Sequence, residues 1–237
     1  RVVLFDYDAS RSAQVPKRLL EGFGGVLLTD GYEAYGAAVA AQGLTHAGCW
    51  AHARRKFEEA RKVQAHAEGR ARIALDFIGR LYAIERSVRE RKAPLSREAH
   101  LELRQAQSTP VLAEFHAWLN ATAGEVLPQS ALGKAIAYAL AQWTKLTVFL
   151  TNVAVPLDNN RCENAIRPFV VGRKNWLFSD TEAGARASAN LYSLIQTAKA
   201  NGVEPHAYLT HLYTQLPSAT RLKHFEALLP WNVKATL

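Results

Sequence analysis

The sequence contains no methionine and only two cysteines, Cys49 and Cys162, among its 237 residues. Without a methionine, Arg1 cannot be an initiator residue, so we expect the chain to be part of a longer protein. Two cysteines cannot form a disulfide framework, and nothing in the sequence requires an oxidising compartment. Apolar runs stay well short of the roughly 18 residues that a membrane-spanning helix needs, and no signal-peptide pattern opens the chain. We therefore expect a soluble, cytoplasmic protein without a membrane partner.

Acidic residues are in the minority, with 21 Asp and Glu against 29 Lys and Arg and a net charge of +8. This excess favours a polyanionic partner, most simply nucleic acid, because a cationic surface gains affinity by releasing condensed counterions. The chain is 49% hydrophobic and 21% charged, which is enough for a buried core and argues against disorder. Its length fits one large domain or a core that carries a sizeable insertion.

The first quarter of the chain alternates short β-branched runs with helical patterns. Residues 2–7, 26–29 and 44–50 predict strands, with a helix after each of the three. Strand, helix and strand in this order are typical of an α/β unit. Asp30 follows the second predicted strand directly and precedes Gly31. A turn or a helix cap explains such an aspartate as well as ligand binding at a strand end does.

From about residue 70 to residue 150 the pattern predicts three helices whose apolar stripes form a core, with no cofactor implied. The stripe of the first helix comprises Ile73, Phe77, Leu81, Ile84 and Val88. The second helix is predicted at about 96–120 and the third at 130–150. Further on, the pattern predicts a long helix at about 185–201, with Leu191, Leu194, Ile195 and Ala198 facing inward. A last helix follows from 205 to about 216, and we expect a peripheral tail beyond it.

The stretch 156–178 (PLDNNRCENAIRPFVVGRKNWLF) is the most informative part of the chain. Pro168 predicts that a short helix beginning near Asn160 ends at about Arg167. Glu163 then lies in its first turns. Asn160 and Glu163 have capping-box spacing, and Glu163 and Arg167 have ion-pair spacing. A structural cap therefore remains one interpretation, and a metal-binding acid beside a bound polyanion remains the other.

A Cys-x-x-His pair and a basic run lie at the predicted helix after residue 50. Cys49 and His52 have zinc-ligand spacing, but no second Cys or His pair occurs at a suitable distance, so we expect His52 in the core or beside a ligand. Arg54, Arg55 and Lys56 occupy successive positions around this helix. A solvated basic face and a phosphate-contacting face both remain possible interpretations.

Five segments, in order, resemble transposases of the insertion sequence 66 family, which belong to the DDE group with an RNase H-like catalytic core. They are TDGYEAY (29–35), GCWAHARRKF (48–57), LGKAIAYALAQW (132–143), DNN-x-x-EN-A-I-RP with GRKNWLF (158–178), and LYSLIQTAKANGVEPHAYL (191–209). The resemblance covers nearly the whole chain. It implies an α/β fold, mostly α overall, in which an incomplete RNase H-like core lacks its first strand or strands and carries a large all-helical insertion. The implied division is 1–66 for the first part of the core, 67–152 for the insertion, 153–216 for the second part of the core, and 217–237 for the tail.

The resemblance also implies metal-dependent DNA cleavage and strand transfer. Asp30 and Glu163 match the second Asp and the Glu of the catalytic triad, and both would bind the Mg²⁺ or Mn²⁺ of a two-metal site. The first Asp of the triad lies upstream of the region that 2–7 matches. Asp6 and Asp8 correspond to the third strand of the core and are poor substitutes for it. We therefore expect this chain alone to be inactive or nearly so.

Further roles follow from the same resemblance. Phosphate contacts are implied for Arg167, Arg173 and Lys174, and base contacts for Asn175 and Trp176, with packing in the protein as the alternative for Trp176. His52, Asn159 and Asn160 would support the metal ligands. The expected partner is DNA, both transposon ends and target. Paired ends would favour a homodimer, and accessory proteins of the same element are further candidate partners. The alternatives are a non-catalytic DNA-binding or assembly module and a related RNase H-like nuclease.

Overall fold

The computed structural model describes residues 1–63, 69–176 and 179–233, with the side chains of 173–176 excepted. These residues form two compact units. One is Ser12–Asn160, and the other joins Arg1–Arg11 to Arg161–Leu237. Each unit has its own buried core. None of the helices formed by the described residues is long and apolar enough to cross a bilayer.

A short parallel sheet opens the Ser12–Asn160 unit after helix α1 (Gln14–Leu19). Strand β1 (Val26–Thr29) pairs with β2 (Thr45–Gly48), and helix α2 (Ala34–Gln42) connects them, as parallel pairing requires. Both strands lie within the ranges that the sequence predicts. The register places Thr29 opposite Gly48, so the residues that follow the strands, Asp30 and Cys49, lie at the same edge of the sheet.

Helices make up the rest of this unit. They are α3 (Trp50–Lys62), α4 (Arg70–Arg89), α5 (Arg97–Leu103), a π-helical turn (Arg104–Ser108), α6 (Thr109–Ala123), α7 (Ala131–Ala141), α8 (Trp143–Leu146) and a 3₁₀ turn (Val148–Leu150). Helix α3 packs on α4 and α7. The core centres on aromatic rings, with Trp50 6.2 Å from Phe115 and 6.0 Å from Trp143 between ring centroids. The indole N–H of Trp50 donates to the Leu146 carbonyl at 2.8 Å.

The three helices that the pattern predicts for this block correspond to five α-helices, α4 to α8. The predicted buried stripe of α4 is wrong at Ile73, which is 40% exposed, whereas Ala71, Ala74 and Ile78 are fully buried. The buried face of α4 thus consists of Ala71, Ala74, Ile78 and Leu81. The second predicted helix is interrupted by the π-helical turn, and the third breaks after Ala141.

A buried ion pair joins α4 to the π-helical turn. Arg104 is 1% exposed and binds both carboxylate oxygens of Glu85 at 2.8 Å. Its Nη1 donates to the carbonyls of Phe149 and Asn152 at 2.7 and 3.0 Å. Burial raises the pKa of Glu85, but the hydrogen bonds and charge of Arg104, aided by His100, outweigh it and leave the pKa lowered. The pair therefore ties three segments of the block together.

The second unit is built from four α-helices in the described residues. They are α9 (Asn160–Trp176), α10 (Glu182–Ala200), α11 (Pro205–Gln215) and α12 (Leu222–Ala227), with a 3₁₀ turn (Leu216–Ser218) between the last two. Leu191 is 37% exposed, against the prediction, while Ala198 is buried as predicted. The expectation of a peripheral tail is also wrong. Leu228 and Val233 belong to the core of this unit, since their side chains pack with Tyr208 and Leu212.

The strand predicted at 2–7 does not form among the described residues. The N–H and the C=O of Val3 both bond the hydroxyl of Thr197 at 3.0 Å. The N–H of Phe5 donates to the hydroxyl of Ser193 at 2.8 Å. Alternate residues thus bond polar side chains of α10 instead of a neighbouring strand. These contacts account for the burial of Ser193 and Thr197.

Helix α9 continues through Pro168 to Trp176, so the predicted end at Arg167 is wrong. Proline removes one N–H, which leaves the carbonyl of Asn164 without its helical partner. Asn164 and Pro168 are both exposed, so water can bond this carbonyl and the cost of continuing the helix is reduced. Glu163 lies in the first turn of α9, as predicted.

Candidate site at the carboxyl edge of the strands

Asp30 is an exposed residue directly after β1, held in a tight turn. Its Oδ1 accepts the N–H of Tyr32 at 3.0 Å, and its backbone oxygen accepts the hydroxyl of Tyr138 at 3.1 Å. Gly31 has φ +90°, and a Cβ at this position would lie 2.9 Å from the Tyr138 hydroxyl oxygen. The turn therefore requires glycine twice, for its backbone conformation and for the close approach of α7.

The neighbouring strand also binds this turn. The hydroxyl of Thr29 lies 2.8 Å from Nε2 of His46 and accepts the N–H of Gly31 at 3.3 Å. The Thr29 hydroxyl can then donate its proton to Nε2 of His46, which requires a neutral imidazole. Burial, followed by the charge of Lys145, lowers the pKa of His46 and favours that neutral form.

Cys49 follows β2 at the same edge and binds the segment that leads into α9. Its thiol is 1% exposed and donates to the side-chain oxygen of Asn159 at 3.0 Å. The N–H of Trp50 donates to the carbonyl of Leu157 at 2.9 Å. Burial raises the pKa of the Cys49 thiol, although hydrogen bonds including that of Asn159 oppose the shift. The thiol therefore remains protonated and able to donate near neutral pH.

Asp158 binds a second residue of the helical block. Its Oδ2 accepts the hydroxyl of Tyr82 at 2.7 Å, and its Oδ1 accepts the N–H of Asn160 at 3.1 Å. Burial, with the bonded carboxylate of Asp158, raises the pKa of Tyr82. Asp158, not Asn160, thus supplies the side chain that bonds the first N–H of α9. Segment 157–160 is held at the carboxyl edge by three residues of the unit, namely Cys49, Trp50 and Tyr82.

One of the three cations predicted on α3, Lys56, lies beside Tyr138. Its Nζ is 4.8 Å from the ring centre of Tyr138, whose hydroxyl bonds Asp30. Arg54 and Arg55 are exposed, and Arg54 forms a long ion pair with Glu58 at 3.6 Å. Lys56 is therefore placed near the Asp30 turn.

The remaining predicted site residues lie on α3 and α9. His52 is half-buried in the first turns of α3, and Arg167 is exposed on α9. Glu163 is half-buried and lines a groove of about 630 Å³ within its own unit, together with Asp6, Arg161 and Cys162. The side chains of Arg173, Lys174, Asn175 and Trp176 lie outside the described residues.

A complete metal site is not found in the described part of the chain. No group of three or more His, Cys, Asp and Glu side chains described here could hold a metal ion. Asp30 and Glu163 belong to different units, and their joint action stays a prediction. Tyr82 and Tyr138 were not predicted from the sequence at all. Neither stands in a recognisable motif for a ligand, and their bonds join residues 76 and 108 positions apart.

Comparison with known proteins gives three relatives, all from Sinorhizobium fredii (strain NBRC 101917 / NGR234). Uncharacterized protein y4qI is 36% identical over 243 residues, and uncharacterized protein y4jD is 36% identical over 236 residues. Uncharacterized protein y4hP is 33% identical over 240 residues. These alignments cover 98%, 97% and 95% of this chain and 43%, 45% and 43% of the relatives, in the same order. The chain thus spans less than half the length of the curated relatives that it matches.

Two family models cover most of the sequence, while no solved structure matches the chain. The model described as "Transposase IS66 family" matches residues 1–187, and the one described as "IS66 C-terminal element" matches residues 193–231. Together with the TDGYEAY turn at the sheet edge and the DNN segment bonded beside it, these matches identify the family: the chain belongs to the IS66 family of transposases.

Proposed function

We propose that this chain is part of the catalytic domain of a DDE transposase, which cleaves DNA and transfers the cut strand with the help of Mg²⁺ or Mn²⁺. One observation carries the proposal. Asp30 follows β1, and the segment that leads into α9 is bonded to Cys49, directly after the adjacent parallel strand. Ligand sites of open α/β sheets lie at this carboxyl edge.

The donor chemistry fits one part of such a site. Asp30 is an exposed carboxylate at a strand end, and Glu163 is a carboxylate in the first turn of a helix. Carboxylate oxygens are the hard ligands that Mg²⁺ and Mn²⁺ prefer. Bound there, such ions would supply Lewis-acid stabilisation of the charge that develops on the attacking and leaving oxygens of a phosphodiester. We assign Asp30 and Glu163 to hold these ions, with the third carboxylate supplied from a part of the protein outside this sequence.

The cations of α3 would bind the phosphates on either side of the scissile bond. We assign this role to Lys56, Arg54 and Arg55 on α3. The Nζ of Lys56 lies 4.8 Å from the ring centre of Tyr138. Arg167, Arg173 and Lys174 on α9 would contribute further phosphate contacts, and Asn175 and Trp176 base contacts. The net charge of +8 supports a polyanionic substrate.

We further propose that the β1–α2–β2 unit, segment 2–7 and α9 are parts of an RNase H-like core into which the helical block is inserted. The parallel pairing of β1 with β2 supports this fold, as does the return of the chain to the sheet edge at 157–160. His52, Asn159 and Asn160 would then support the metal ligands. The bond from Cys49 to Asn159 is consistent with that role.

The proposal is tested with the full-length transposase on DNA that carries its transposon ends. We expect Asp30→Asn and Glu163→Gln each to reduce Mg²⁺-dependent cleavage by more than about a hundredfold, since loss of residues that merely support metal ligands already costs 10–100-fold. DNA binding should persist in both variants. Full cleavage by either variant would refute the catalytic assignment. DNA binding indifferent to Mg²⁺ and without any cleavage would favour a binding module.

A further inference from the structure

We propose that two tyrosines of the helical block, Tyr82 and Tyr138, are positioning residues that hold the two acid-bearing segments of the chain at the sheet edge. Tyr138 holds the Asp30 turn, and Tyr82 holds the 157–160 segment that leads into the helix of Glu163. This inference rests on the proposed function, and it assigns the helical block a part in the reaction.

The Tyr138 contact fixes the backbone of the turn. Its hydroxyl donates to the carbonyl oxygen of Asp30, and a Cβ on the next residue, Gly31, would lie 2.9 Å from that hydroxyl oxygen. The turn and α7 are thus in close contact. Because the bond is to the backbone, the Asp30 carboxylate stays exposed toward solvent while its Cα position is held.

The Tyr82 contact is a hydrogen bond to a charged group. Its hydroxyl donates at 2.7 Å to Asp158, whose other oxygen accepts the first N–H of α9. Hydrogen bonds to an ionised carboxylate are shorter and stronger than neutral ones. Asp158 therefore connects α4 to the start of the helix that carries Glu163.

Both tyrosine rings are anchored in one core. The rings are partly buried and pack against the cluster that contains Trp50 and Phe115. A ring fixed by packing presents its hydroxyl in one place, which is the requirement for a residue that positions another. Phenylalanine would keep the ring and remove only the hydroxyl, so Tyr→Phe variants separate positioning from packing.

The Tyr82 contact can be tested without any activity, since Cys49 is a built-in reporter. Cys49 is 1% exposed and its thiol is bonded to Asn159, so opening of the 157–160 segment should expose it to a thiol reagent. In the full chain with Cys162→Ser, we expect Tyr82→Phe to accelerate labelling of Cys49, read by peptide mass spectrometry, by roughly ten- to a hundredfold. An unchanged labelling rate would overturn the assignment of Tyr82.

Tyr208→Phe is the matched control. The Tyr208 hydroxyl is buried and donates to the Leu228 carbonyl at 3.0 Å, so the substitution removes a buried tyrosine hydrogen bond in the other unit. Cys49 labelling should not change in this variant. Equal acceleration in Tyr82→Phe and Tyr208→Phe would mean general destabilisation and would also overturn the inference.

The Tyr138 contact is tested by hydrogen exchange and by kinetics in the full-length protein. We expect Tyr138→Phe to speed amide exchange at residues 30–33 by roughly tenfold while exchange in α6 stays unchanged. With Mg²⁺ and end-bearing DNA, kcat should fall roughly tenfold and KM should stay unchanged, since positioning affects the chemical step. Unchanged exchange and kcat in this variant would overturn the inference. If Asp30→Asn kept full activity, the proposed function would fail, and the labelling and exchange results would still decide whether the tyrosines hold the segments.

Discussion

The thiol of Cys49 donates to the side-chain oxygen of Asn159 at 3.0 Å, which joins two residues 110 positions apart in the sequence. The chain leaves the sheet edge at Cys49, forms the helical block, and returns to the same edge at Asn159. A helical block that starts and ends at the same edge leaves the residues on either side of it close together. Here those residues are the end of β2 and the segment that begins α9.

This contact contributes to stability. We expect Asn159→Ala to lower the free energy of unfolding by about 1–2 kcal/mol, because it leaves the buried thiol of Cys49 without its acceptor. Urea denaturation monitored by circular dichroism measures the change. Asn120→Ala is the control, since Asn120 is exposed and bonds only within α6 among the contacts described. Equal losses in the two variants would contradict a specific role for the Cys49–Asn159 bond.

Two glycines should respond to alanine with opposite signs. Gly31→Ala is expected to destabilise the fold by about 1–2 kcal/mol, because φ is +90° and the new Cβ would meet the Tyr138 hydroxyl. Gly36→Ala, in α2 with nothing within 4 Å of the new Cβ, is expected to stabilise it by about 0.5–1 kcal/mol. Thermal unfolding of both variants checks the prediction. A neutral Gly31→Ala would show that the turn is not constrained as described.

The ion pair of Arg104 and Glu85 should dominate the stability of the helical block. Arg104→Ala leaves a carboxylate buried without its partner, so we expect a loss of about 3–5 kcal/mol. Arg80→Ala is the matched control, because its pair with Glu114 is about half exposed and should be worth at most about 1 kcal/mol. Denaturant titration of both variants measures the two losses of unfolding free energy. Similar losses would mean that burial of the Arg104 pair is unimportant.

The same pair predicts an acid dependence. The pKa of Glu85 lies below its ordinary value of 4.5 in the folded protein, so the folded state holds its proton less tightly than the unfolded state does. Its contribution to stability is complete above pH 4.5 and is lost as the pH falls through the lowered pKa. Glu85→Gln should therefore flatten the loss of stability in this acid range. A variant with the full acid dependence would contradict the assignment to Glu85.

His46 predicts a second pH effect at higher pH. Its pKa is lowered from 6.5 in the folded state. Below pH 6.5 the unfolded state therefore binds a proton that the folded state resists, so stability decreases as the pH decreases. We expect His46→Asn to reduce the difference in melting temperature between pH 7.5 and pH 5. An unchanged difference would place the pH dependence elsewhere in the molecule.

Several features were predictable because their causes are local. A β-branched run followed by Asp30-Gly31 indicates a strand and a turn, and polar residues before Glu163 indicate a helix start. The long-range contacts were not predictable, since neither Tyr82 nor Asn159 shows in its neighbours that it will be bonded. The predicted helix end at Arg167 was wrong because the low helix propensity of proline does not reveal whether the site is exposed. At an exposed site, water can bond the Asn164 carbonyl that Pro168 leaves without a partner. The strand predicted at 2–7 was wrong, because hydroxyl groups of α10 bond the backbone of Val3 and Phe5.

The central claim, that Asp30 and Glu163 bind the same metal ions, is tested most directly by iron-mediated cleavage of the protein. In the full-length transposase bound to end-bearing DNA, Fe²⁺ replaces Mg²⁺, and peroxide with ascorbate then generates radicals that cut the polypeptide near the iron. We expect cuts both at the Asp30 turn and in the first turn of α9, and we expect Asp30→Asn to abolish both sets together. Cuts at only one of the two places, or cuts beside Glu163 that survive Asp30→Asn, would contradict a shared metal site.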